Sequence, residues 1–347
     1  MFKRLRKKNN DSESQYAYDS MQIWYESVSG QESNRSDIDI DVNVCKLRMR
    51  KSQNTYLDFG FKIKNPGNVK RMFVYLPWKL QKDDVKDLGI KFREDRLLNG
   101  VFNEDYARTL ATKKYFVWKD KKHVFTIQIL SGEEDISVEI RFSGTLISLK
   151  VDDPIKDEDS YIRIRVICPE VSKNGRNGFF RLYRPKFFFF DNAFSMLDTT
   201  DFRINERRSI QNSDLMQDIE KKVRFSVKEV KYFLIVPFDD ELLESSHLRY
   251  QRQLEGGGFW NYYLDMDSNY HLGEMCVYNF NDKPESGENE LSHFRIFHKI
   301  QYRKINLVSL LLYLIVMIAL VTLSDFVSEG IRSDWVPGFW EWLRTLF

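Results

Sequence analysis

The side chains that could do metal or nucleophilic chemistry are few and scattered. His123, His247, His271, His293 and His298 show no His-x-x-x-His spacing, and Cys45, Cys168 and Cys276 form no Cys-x-x-Cys pair. A zinc site, built from such short spacings, has no signature here. The glycines at 256–258 lack the Gly-Lys-Ser/Thr ending of a phosphate loop and read as the stop of a helix. No Gly-x-Ser-x-Gly elbow is present, and no cysteine has neighbours that would depress its pKa. Asp152 and Asp153, next to Pro154, and Asp239 and Asp240, close after Pro237, read as solvated turns rather than acid–base pairs. No catalytic residue, cofactor or metal ligand is therefore assigned. The run Phe179-Phe180-Arg181-Leu182-Tyr183-Arg184 would stack on single-stranded nucleic acid if it faced outward, but with Phe187–Phe190 behind it the run reads as buried sheet.

Composition places these residues in a globular body. The chain has 347 residues, with 42% hydrophobic, 15% aromatic and 30% charged residues, enough for one large domain or two ordinary ones. Lys plus Arg number 53 against 51 for Asp plus Glu, a net charge of +2 that makes no global bid for nucleic acid. Three widely spaced cysteines fit a reducing compartment. The basic start at residues 3–8 has no apolar run behind it and is no secretory signal.

The patterning is that of a mainly β protein, an antiparallel sandwich-like body with α+β elements. Ala17, Met21, Trp24 and Val28 fall at helical spacing, so a short amphipathic helix is expected within an N-terminal segment 1–36. Residues 37–50 alternate through Ile38, Ile40, Val42 and Val44 as a half-buried strand, with the basic cluster 46–51 read as its outer face. A β-hairpin is expected from 56–64 to 70–77 around Asn65-Pro66-Gly67-Asn68. Strands follow near 114–118, 123–130, 136–142, 146–151, 161–168, 186–190 and 223–237, and a helix over 241–255. The body is bounded at 37–292 as one domain or two subdomains, and a basic juxtamembrane segment follows at 293–304.

Residues 305–324 carry no Asp, Glu, Lys or Arg and are apolar on every side, which at about 1.5 Å per residue is one bilayer crossing. Arg295, Lys299, Arg303 and Lys304 precede the run, so the positive-inside rule leaves the N-terminal body in the cytoplasm beneath an inner (plasma) membrane. Within the span, Ser309, Tyr313 and Thr322 are candidate helix–helix contacts for a homo-oligomer. The tail 325–347 places Trp335, Phe339, Trp342 and Leu346 at helical spacing, widened by Trp340, and suits a membrane interface. A cytosolic β-rich domain on one C-terminal span is similar in layout to the membrane-acting effectors of bacterial anti-phage systems. That likeness implies a toxin-like effector in antiviral defence: a cytosolic module holding a protein or nucleoprotein regulator, and a membrane part that perturbs the bilayer on release or clustering. The alternative is a passive tethered adaptor for a cytosolic complex; an enzyme with a dispersed site is the third reading.

Overall fold

The computed structural model describes residues 20–28, 35–48, 53–142, 144–151, 158–168, 176–183, 194–209, 213–245, 248–254, 258–264, 275–304, 307–332, 341–342 and 344–345. Its centre is a ten-stranded sheet. The order is β18 (Tyr250–Gln253), β19 (Met275–Asp282), β16 (Ser226–Pro237), β2 (Asp37–Arg48), β3 (Gln53–Lys64), β11 (Asp159–Cys168), β8 (Lys122–Gln128), β7 (Lys114–Lys119) and β6 (Ala107–Ala111). A short β5 (Val85–Asp87) also pairs with β11. The β16–β2 and β11–β8 pairings are parallel and the others in this sheet antiparallel.

Two five-stranded antiparallel sheets share one core with the central sheet. One runs β15 (Val223–Arg224), β1 (Gln22–Ser27), β4 (Val69–Leu76), β10 (Gly144–Lys150) and β9 (Ile136–Arg141). The other runs β12 (Arg176–Asn177), β13 (Phe180–Tyr183), β14 (Ser195–Ile204), β20 (Phe294–Arg303) and β17 (Glu241–Ser245). Period-2 side chains place Ile38–Val44 of β2, Leu57–Ile63 of β3 and Val230–Val236 of β16 on this core face at alternate positions. The opposite, far face of the central sheet is covered by α1 (Asp95–Phe102) and α3 (Gly258–Leu264). A third helix, α2 (Ser213–Glu220), packs on β1 and β10. The last, α4 (Leu307–Arg332), follows β20.

Several expectations are corrected. Gln22–Ser27 is strand, not helix, because β1 is covered on both sides: Ile23 and Tyr25 enter the main core while Trp24 packs with Leu215 and Ile219. Apolar residues on adjacent positions imitated a helical spacing. The turn at 65–68 does not close a hairpin. Asn65 takes a left-handed conformation (φ 51°), and the chain passes from β3 in the central sheet to β4 in another sheet. Arches and hairpins draw on the same turn residues. Residues 241–255 hold β17 and β18 rather than a helix, and Gly258 starts a helix rather than ending one. The segment 293–304 is largely β20, hydrogen-bonded to β14 and β17. The strand expected at 186–190 lies outside the described residues.

Lys46 is also displaced from expectation. It shares the parity of Ile38–Val44, so it points into the core, where its Nζ donates to Asp198 Oδ1 (2.7 Å) and Thr200 Oγ1 (2.9 Å). His298, within the segment read as juxtamembrane, lies on the core side of β20 with its Nε2 2.8 Å from the Tyr232 hydroxyl. Burial, with a smaller push from Lys46, holds its pKa well below the usual histidine range. A histidine kept neutral in the fold contributes stability above the unfolded-state pKa of about 6.5 that is lost as pH falls below it. Urea unfolding between pH 5 and pH 7 is expected to weaken by up to about 1.4 kcal/mol per pH unit below 6.5. In His298→Gln that component of the slope disappears.

Candidate functional site

The far face of the central sheet is ordered in rows. One row reads Asn281, Lys231, Asp41, Gly60, Arg163 across β19, β16, β2, β3 and β11. The next reads Tyr250, Asn279, Phe233, Asn43, Asp58, Arg165 from β18 to β11. Alternation on each strand thus turns its apolar residues to the core and a polar set to this side.

A buried ion pair anchors the β3–β11 end. Arg165 Nε and Nη2 donate to Asp58 Oδ1 (2.7 Å) and Oδ2 (2.8 Å), with 1% and 0% of the two side chains exposed. The guanidinium also stacks near the rings of Tyr56 and Tyr263, 4.7 and 5.3 Å from their centroids. Two residues earlier, Arg163 Nε donates to the Tyr263 hydroxyl (2.7 Å) and Nη1 to the Tyr161 hydroxyl (2.6 Å). Desolvation opposes its charge, but the oxygens of Tyr161 and Tyr263, and behind them Asp58 and Asp41, hold its pKa above the usual arginine value. Gly60 makes the space: a Cβ there would lie 2.2 Å from the Tyr161 hydroxyl oxygen and 3.2 Å from Arg163 Nη1.

Beside this knot is a cavity of about 490 Å³. Its floor is the rows just described, from Arg163 and Asp41 across Lys231 and Phe233 to Asn279; its walls are the end of α1, Gly100–Asn103, and Trp260 of α3. Asn103 ends α1 in a left-handed conformation (φ 53°), which brings Phe102 and Asn103 to the rim. Asp41 keeps some surface open to the cavity although it lies deep in the fold. Burial pushes its carboxyl up, against the pull of Lys231 and then Arg163. Among the described residues no three His, Cys, Asp or Glu side chains converge to hold a metal. Burial pushes the thiols of Cys45 and Cys168 up, away from the thiolate a nucleophile needs.

The residues singled out from sequence lie elsewhere. Arg295, Lys299 and Arg303 occupy alternate positions of β20, opposite in parity to buried Ile296, His298, Ile300 and Tyr302; Arg295 stands 3.5 Å from Asp201. Arg303 and Lys304 are next to α4, while Arg295 is set back by about 27 Å of strand. On α4, the Thr322 hydroxyl donates to the Ala319 carbonyl within the helix (2.9 Å), and Tyr313 is partly exposed. The side chain of Ser309 lies outside the described residues, as do Trp335, Phe339, Trp340 and Leu346; Trp342 is exposed.

Among the described residues no helix is long and apolar enough to cross a membrane, so the expected span at 305–324 is not supported by them. The unbroken run of described side chains in α4 covers sixteen residues, 310–325. Within that run the consecutive side chains Leu314, Ile315, Val316, Met317 and Ile318 are all 41–64% exposed. Successive helical residues differ by about 100°, so five of them sample the whole circumference.

No protein-family model matches the sequence, and no curated protein is significantly similar to it.

Two substitutions test the far face. Arg165→Met leaves Asp58 buried without its bidentate partner and is expected to cost about 3–5 kcal/mol in denaturant unfolding; Asp58→Leu combined with Arg165→Met should cost less than the single change. Gly60→Ala is expected to cost about 1–3 kcal/mol by overpacking against the buried Tyr161, whose hydroxyl is held by Arg163.

Proposed function

We propose that this protein is a single-pass, tail-anchored membrane protein of the bacterial inner membrane. Its β-rich body stands in the cytoplasm and binds a regulatory partner. Its C-terminal helix and Trp-rich tail perturb the bilayer when the body is released or clustered, as in the membrane-acting effectors of anti-phage defence that it is similar to in layout. The observation that carries the reading is α4: a helix of 26 residues, about 39 Å long, with apolar side chains exposed around its circumference. Such a surface in water carries the full hydrophobic penalty on every side, and a hydrocarbon layer about 30 Å thick removes it. Over the whole sequence of the helix, the eighteen residues from Leu307 to Ser324 include no Asp, Glu, Lys or Arg. The first acid, Asp325, comes after that length has been used. Arg303 and Lys304 at the near end favour the cytoplasmic side for the body.

Expression in bacteria of the full chain beside a form ending at Lys304 and a form with an unrelated anchor of equal apolar length tests the reading. The full chain is expected in the membrane pellet after carbonate washing, and the shortened form in the supernatant. Membrane potential should fall with the full chain and hold with the other two. Equal partition of full and shortened chains into the supernatant would remove the anchor; equal effects of the native and unrelated anchors would reduce the tail to a tether.

A further inference from the structure

We infer that the far-face cavity is a binding site for an elongated, phosphorylated ligand carrying a planar ring, of the nucleoside polyphosphate or dinucleotide class. The inference stands apart from the membrane reading, since it rests on the body alone.

The first observation is charge. Among the described residues that line the cavity, Arg163, Lys231, Arg249 and Arg252 stand against Asp41, with Glu229 3.7 Å from Lys231, in a protein whose charges otherwise nearly cancel. A concave site lined by one sign of charge concentrates ligands of the other. The second is an unspent donor. Arg163 is 1% exposed, its Nε and Nη1 are held by two tyrosines, and its Nη2 has no hydrogen-bond partner among the described residues. A buried guanidinium N–H without an acceptor carries a desolvation cost that an incoming anion removes. The tyrosines fix the plane of the fork, so Nη2 is oriented before anything binds.

The remaining lining chemistry suits a base and sugar. Phe102, Phe233, Tyr250 and Trp260 supply aromatic surface on several sides of the cavity, the kind on which a base stacks. Asn43 and Asn279 add amides that can pair with a base edge through donor and acceptor together. On Asn281 the amide Nδ2 donates to Glu229 (2.8 Å), while its Oδ1 is buried with no partner among the described residues. Asp41, whose carboxyl burial pushes up, suits hydroxyls better than it would a second anion. The dimensions select for length. From Asn281 to Arg163 the floor crosses five strands, four intervals of about 4.8 Å, or roughly 19 Å. Arg249 and Arg252 stand on the β18 side, opposite Arg163. A ligand meeting both ends must itself be extended.

Titration calorimetry on the full chain in detergent micelles tests this with ATP, the linear dinucleotide pApA, tripolyphosphate, adenosine and a hepta-glutamate peptide as probes. ATP or pApA is expected to bind with Kd below about 100 µM. Adenosine and tripolyphosphate, each with half of the chemistry, should bind at least tenfold more weakly. Arg249→Ala with Arg252→Ala, both exposed at the rim on the β18 side, should weaken the nucleotide at least tenfold, with circular dichroism showing the fold retained. Arg163→Gln should abolish binding, with circular dichroism reporting whether it folds. Failure of both nucleotides to bind at millimolar concentration would overturn the inference. So would affinity unaltered by the rim variant, tripolyphosphate equal to ATP, or tightest binding by the acidic peptide.

Discussion

The constraint that governs this architecture is that the central sheet is covered on both faces, and the cover on the second face rests on the Asp58–Arg165 pair. A ten-stranded sheet with one wet face would present the polar rows of β2, β3, β11 and β16 to solvent. Here the pair is sealed under Tyr56 and Tyr263, and α3 is held by the same arginines that its tyrosine caps. Burying two ions repays its cost only where the geometry is good and the remaining lone pairs are met, and the bidentate fork between adjacent strands provides that geometry. With α3 in place over β11 and β3, the part of the face towards β16 and β18 remains hollow, and that hollow is the cavity.

Much of the β body was legible because alternation is a strong signal where one face is buried. Ile38–Val44, Leu57–Ile63 and Ile162–Val166 fall to the core as their spacing requires. What the same spacing hid was the meaning of the other parity. The acids and amides of β2 read as the open side of a half-buried strand, because alternation says that a side is polar without saying whether anything covers it. The covering elements, α1 and α3, have seven or eight residues each and come from segments of mixed pattern. Lys46 shows the converse. Its parity was that of the core, and its charge made it look external; the partner that permits burial, Asp198, is 152 residues away in the chain.

Local signals failed where long-range context chose between two outcomes of one chemistry. Asn65 through Asn68 make a turn whichever sheet receives the next strand, and the reach from β3 to β4 is set by the layers, with Pro66 buried between them. In β1 the two-sided cover lets consecutive apolar residues stand together and erases the period of 2. The candidate cavity had no motif because its residues come from strands far apart in sequence, from Asp41 to Asn281. Only the pairing register aligns them.

The same register links the two regions of functional interest through a short physical route. Lys231 and Phe233 face the cavity from β16, and Tyr232 between them faces the core, where its hydroxyl meets His298. His298 lies on β20, and five residues along that strand is Arg303, after which α4 begins at Leu307. A displacement of β16 normal to the sheet would strain one buried hydrogen bond before it reached the strand that leads into the apolar helix. Both ends of that bond are fully buried, so neither partner can turn to water instead. Contiguity of this kind is a condition for coupling rather than coupling itself, which requires two arrangements of the route with different affinities for what binds at each end.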